Sequence, residues 1–225
     1  MNQYLKFLSI LFVYLFTSNA QANLLTLYGN TVSFEFDNAL TGLFGSANVS
    51  GDTLYFTPNA FTATALNTDG VVLNNSTLNV KVQALNAQDK INTLSLIEKG
   101  DYFSFGESTL VAVGGQIRAF DINNPNIDKT ESIVANDPFT QTAFLQTNNW
   151  QADTLLDTTA FGSGYINVTI QNLLGAISGT LGQAAFIEKK YVGLTVTAVP
   201  LPATIWLLGA ALVGLITSAK RNQAI

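Results

Sequence analysis

The sequence predicts an all-β protein, an antiparallel β-sandwich of jelly-roll-like kind set between two terminal targeting segments. Three observations carry that expectation. Apolar and polar residues alternate with period two through much of residues 23–198. Glycine-containing turn signals punctuate those runs, and no long stretch of the interval carries a convincing apolar stripe of helical period.

The chain opens with one basic residue, Lys6, an apolar run from Phe7 to Phe16, and Ser18-Asn19-Ala20-Gln21-Ala22. That order of parts reads residues 1–22 as a signal peptide, because the apolar run is too short for a stable anchor and Ala20 and Ala22 stand at Ala-x-Ala spacing. Cleavage is expected after Ala22, so the mature chain starts at Asn23.

The first strand signal is Thr31–Asp37, where Val32, Phe34 and Phe36 share one face and Glu35 and Asp37 the other. Similar runs follow at Thr53–Thr57, Leu78–Ala84, Thr93–Ile97, Tyr102–Phe105, Thr109–Phe120, Tyr165–Leu173, Gln183–Ile187 and Tyr191–Val199. Ser50-Gly51-Asp52, Thr68-Asp69-Gly70, Lys99-Gly100-Asp101, Gly114-Gly115 and Gly162-Ser163-Gly164 read as the turns between them. Leu54, Phe56, Phe61, Tyr102 and Phe105 are expected to fill the core. Residues 84–97 admit a second reading, since Leu85, Gln88 and Ile91 are also spaced to begin a short helix. Residues 121–164 are the least strand-like part of the domain.

Composition removes whole classes of chemistry. Seven of the ten basic residues and all fifteen acidic ones fall within residues 23–198, a net charge of −8 that repels phosphate backbones and argues against nucleic-acid binding. Histidine and cysteine are absent, which excludes Ser-His-Asp and Cys-His catalysis, imidazole bases and most zinc or copper sites. An exported domain without cysteine must also cohere without disulfides. Carboxylate chemistry is what is left. The pairs Glu35/Asp37 and Glu98/Asp101 have the residue types for glycoside hydrolysis, but neighbouring acids do not make a cleft, and no catalytic or metal residue is assigned.

Two binding features remain. The loop Asp121–Glu131 offers hard oxygen ligands of the kind calcium prefers, although Asn126 stands at the turn-glycine position of an EF-hand and Ser132 at its closing acid. A calcium site of another kind is a candidate there, as is a simple connecting loop with Asx turns around Pro125. Trp150, beside Asn148, Asn149 and Gln151, is the candidate sugar contact.

Residues 199–225 form the last unit. Val199-Pro200-Leu201-Pro202-Ala203 supplies a rigid turn, and the apolar run to Ala219 is uncharged and just long enough for a transmembrane helix over about 203–219. Trp206 sits where an aromatic ring favours the interface, and Lys220 and Arg221 form a basic stop retained on the cytoplasmic side.

These residues together resemble the PEP-CTERM sorting signal in its Val-Pro-Leu-Pro-Ala variant. Leu201 stands where the commonest form of that motif has an acidic residue. Internal stretches such as Ala47–Pro58, Glu98–Tyr102 and Phe186–Leu194 are similar, more weakly, to β-rich ectodomains of the same family. The resemblance implies export by a Gram-negative bacterium, recognition by an exosortase-type membrane enzyme, and an inner-membrane-anchored precursor with a periplasmic ectodomain. The mature form would reside at the cell surface or in the exopolysaccharide matrix. The resulting expectation is a non-enzymatic surface or matrix protein. A carbohydrate-binding, lectin-like module is the rival, and a carboxylate-type polysaccharide hydrolase comes third.

Overall fold

The computed structural model describes residues 23–200 and the isolated position 211. Ala20, Ala22, Leu201, Pro202, Ala203, Lys220 and Arg221, and with them the expected signal peptide and transmembrane segment, lie outside the described residues. Among the described residues no helix is long and apolar enough to cross a membrane.

Twelve strands are described: β1 (Leu24–Tyr28), β2 (Val32–Asp37), β3 (Ser46–Ser50), β4 (Thr53–Thr57), β5 (Thr62–Leu66), β6 (Gly70–Ala84), β7 (Asp89–Phe105), β8 (Thr109–Asp121), β9 (Asp128–Ser132), β10 (Asn148–Asp157), β11 (Tyr165–Ser178) and β12 (Ala184–Pro200). They form two antiparallel sheets. The first has the order β1-β2-β6-β11-β8-β9 and the second β10-β7-β12-β4-β3, with β5 also paired to β12. One flank of β12 is covered along its length by β7, while the other is shared by β5 near its start and β4 further on. In the opposite sheet β11 lies between β6 and β8 over almost the same residues. The all-β sandwich expected from the sequence is therefore the architecture observed.

Period-two alternation accounts for the core. Val32, Phe34 and Phe36 of β2, Leu78, Val80 and Val82 of β6, and Ile166, Val168 and Ile170 of β11 are buried from one sheet; Leu54 and Phe56 of β4 and Leu94 and Leu96 of β7 are buried from the other. Phe36, Phe44, Phe56 and Phe61 meet in edge-to-face pairs with ring centres 5.7–6.0 Å apart. Phe105 departs from expectation. Tyr102 and Ser104 take the inward positions of β7, so Phe105 falls on the outer face, half-buried, stacked on Phe103 at 6.2 Å and packed against Phe144 at 5.2 Å.

Two expected turns are continuous strand. Lys99-Gly100-Asp101 lies inside β7 and Gly114-Gly115 inside β8. Both sequences use glycine for close approach rather than reversal. A side chain at Gly100 would collide with the Glu188 carbonyl and the Trp150 indole, and one at Gly115 (φ 141°) with the Gln171 carbonyl of β11. The runs Gln183–Ile187 and Tyr191–Val199 likewise merge into β12. The helical reading of residues 84–97 is overturned, because Asn86 closes a turn in which its backbone carbonyl accepts from Asp89 and its side chain from Gln88, and β7 starts at once. The 121–164 stretch contains all of β9 and β10.

A bulge in β12 sets up the interior. The pairing with β7 slips between Lys189 and Tyr191, leaving Lys190 as the extra residue. Ala185, Ile187 and Lys189 face inward before the slip and Val192, Leu194 and Val196 after it. Lys189 and Lys190, as neighbours on the strand, lie on opposite faces of the sheet.

Candidate functional site

The described residues place one groove of about 440 Å³ directly outside an internal cluster of charged and polar side chains. Its walls are Lys99–Tyr102 of β7, Asp137–Phe139 of the loop after β9, Asn149–Gln151 of β10, and Lys190 of β12. Tyr102 is wedged edge-on against Phe139 at 4.8 Å, and its hydroxyl accepts from the Thr140 amide (3.3 Å) and Asn148 Nδ2 (3.4 Å). Lys190 bridges the carboxylates of Asp101 and Glu188, the latter at 2.9 Å, and these hydrogen bonds push its pKa up to about 12.

Trp150 belongs to the wall rather than to the opening. It is 6 % exposed, its Nε1 donates to the Glu188 carbonyl at 3.0 Å across the space left by Gly100, and its ring faces the Lys189 ammonium at 5.6 Å. A platform for sugar stacking needs an open aromatic face, so the indole acts here as packing, and the sequence-level role given to it does not follow from its position.

Behind the indole lies the most unusual chemistry of the molecule. Glu98 of β7 and Lys189 of β12 form an ion pair from which both side chains exclude water completely. Lys189 Nζ also donates to Asn172 Oδ1 of β11 in the facing sheet at 2.6 Å, and it sits 5.3 Å from the centre of the Phe61 ring. Burial pulls the Lys189 pKa below the ordinary lysine value, with Glu98 opposing the shift. Glu98 Oε1 and Asn172 Nδ2 have no hydrogen-bond partner among the described residues. Unsatisfied polar atoms at such depth are costly and call for a reason.

The acidic pairs named from sequence do not assemble into a catalytic cleft. Glu98 and Asp101 point to opposite faces of β7, since they are three positions apart, an odd offset, on a strand of period two. Glu35 is bound to Lys81 at 2.8 Å, and Asp37 accepts from the backbone amides of Ala39 (2.9 Å) and Asn23 (3.1 Å). In the candidate calcium loop, Asp121 is buried and accepts from the Asn123 amide and Ser163 Oγ, each at 2.8 Å, while Asp128 pairs with Arg118 at 2.9 Å. Among the described residues no three or more His, Cys, Asp or Glu side chains are grouped so as to hold a metal ion. Val199 and Pro200, the first two residues of the expected sorting motif, lie in β12 opposite Lys90 and Asp89 of β7.

Sequence reasoning missed the internal cluster. The available signal was phase: Glu98 continues the buried row Leu94-Leu96, and Lys189 continues Ala185-Ile187 with the opposite charge.

No family model matches the chain, and no curated protein does. Among solved structures it is similar, at 12 % identity and a TM-score of 0.39, to a chain in the structure of the infectious bursal disease virus Gt strain, with 80 % of this chain and 47 % of that one covered. A chain of that virus's VP2 subviral particle gives 12 % identity and a TM-score of 0.30, with coverages of 67 % and 42 %. The match thus spans less than half the length of each of these two chains.

Proposed function

We propose that this chain is an exported, non-enzymatic protein of the cell surface or extracellular matrix, associated with exopolysaccharide and delivered by an exosortase-type membrane enzyme acting at Val199–Ala203. In this reading a jelly-roll-like ectodomain stands outside the inner membrane. A helix over about 203–219 holds the precursor in the lipid, with Lys220 and Arg221 inside. The observation that carries the reading is the fit of the sandwich between the two terminal signals. β1 begins at Leu24, two residues past the expected cleavage after Ala22, and β12 carries the chain into the proposed motif through Val199 and Pro200. The occupied acids described above also favour a non-enzymatic role over carboxylate catalysis.

Mass spectrometry of the mature protein tests this. The expected result is a chain starting at Asn23, ending near Pro200 and recovered outside the inner membrane. Recovery of an uncleaved chain through Ile225 in the inner membrane would overturn sorting in favour of a plain anchor.

The groove favours a second reading, that of a carbohydrate-binding module, because Asp137, Asn149 and Gln151 supply polar groups along an accessible depression. Binding of the ectodomain to a glycan array, weakened by Asn149→Ala, would favour it over a purely structural role. Absence of binding with and without calcium would remove it.

A further inference from the structure

We propose that Lys189 and Asn172 become joined by an intramolecular isopeptide bond, formed by the folded protein itself with Glu98 as its proton carrier, so that the two sheets are covalently stapled. Three complementary groups meet in one dry compartment. They are an amine nucleophile on β12, a carboxamide on β11 and a carboxylate on β7. The amide carbon of Asn172 is one carbonyl bond from the oxygen that Lys189 touches at 2.6 Å. That bond is about 1.2 Å long, so nitrogen and carbon are at most about 3.8 Å apart, close to the separation of a near-attack arrangement.

The chemistry balances without an external reagent. The Lys189 ammonium passes a proton to the Glu98 carboxylate it already hydrogen-bonds, and the freed amine attacks Cγ of Asn172. Glu98 delivers that proton to Nδ2, and the Cγ–Nδ2 bond breaks as ammonia leaves. The second proton that Lys189 gives up stays on the Glu98 carboxyl. One C–N bond forms, one breaks, and nothing is oxidised or reduced.

Each feature of the compartment favours this course. Burial shifts Lys189 toward the neutral amine that attack requires. The departing nitrogen, Asn172 Nδ2, is held by no hydrogen bond, and Glu98 Oε1 is equally free among the described residues. Phe61 and Trp150 flank the amine and exclude the water that would solvate it as an ammonium. Reaction also relieves the site, because a buried ammonium becomes a neutral amide and a carboxylate becomes a neutral acid. Gly115, which lies opposite Asn172 in the β11–β8 ladder, allows the close backbone approach on that side.

Peptide mapping of the folded full-length chain by mass spectrometry tests the proposal. The expected product is a branched peptide joining the segments around Asn172 and Lys189, lighter than the two linear peptides together by one ammonia. The linear forms should be largely lost. Folded wild-type protein that yields only linear peptides, with a free Lys189 amine after prolonged incubation, would overturn it. So would an ammonia loss traced to a cyclic imide at an asparagine. The wild-type result stands whether or not any variant folds. In Glu98→Gln, checked for fold by circular dichroism, the branched peptide should fall at least tenfold. Cross-linking as complete as in wild type would remove Glu98 from its assigned role.

Discussion

Lys189 and Lys190 are consecutive residues of one strand with opposite environments. Lys189 is sealed in the interior against Glu98 and Asn172, whereas Lys190 is about half-exposed on the outer face between Asp101 and Glu188. The same side chain has a lowered pKa in the first position and a raised one in the second. Strand alternation makes the difference, and the bulge that follows closes the buried row at Lys189 and lets it resume at Val192. The contrast shows that an ion pair is defined by what surrounds it. Outside, water competes for both partners and the pair contributes little to stability; inside, each partner depends wholly on the other.

The sharpest way to break the contrast is Lys189→Ala, which strands a buried carboxylate. A loss of about 3–5 kcal/mol in denaturant unfolding is expected, before any contribution from the covalent link. Pairing Lys189→Met with Glu98→Leu should recover much of that loss, because an apolar pair of similar volume fills the space without a charge. A double variant no more stable than either single one would show that the pair is not coupled. Gly100→Ala comes next, at about 1–3 kcal/mol, since the added carbon meets the Glu188 carbonyl and the Trp150 indole nitrogen on the wall between the two lysines.

The smallest effect belongs to Lys190→Ala, whose melting temperature near neutral pH should barely move. The small difference from wild type has an alkaline signature. A pKa raised from 10.5 to about 12 gives Lys190 a stabilising contribution that is fully present below pH 10.5 and disappears as pH climbs through about 12. Wild type should lose that increment of stability across this window and the variant should not. Equal alkaline slopes for the two proteins would contradict the outer bridge.

The sandwich was legible because period two is a direct consequence of strand geometry, and it survives in Val32-Phe34-Phe36 and in Leu94-Leu96 without knowledge of any partner. The lengths of the strands were not. Gly100 and Gly115 carry the composition of turns, yet they are glycine because another backbone or ring lies against them, and that neighbour is distant in sequence. The internal cluster was hidden for a related reason. Glu98 and Lys189 are 91 residues apart, and each looks like an ordinary surface charge until its phase within the strand is taken seriously. Trp150 drew notice for its ring, but its surroundings, which made it a wall, come from β7 and β12. The signals proposed at the two termini rest on adjacent residues alone and, apart from Val199 and Pro200, lie outside the described residues.

The position of β12 has a mechanical corollary. It is an interior strand, flanked by β7 on one side and by β5 and β4 on the other, and it is described as far as Pro200. A pull along its axis on the chain beyond that residue would enter the domain through its middle. Many ladder bonds would then be loaded in shear at once, rather than being peeled one by one from an edge.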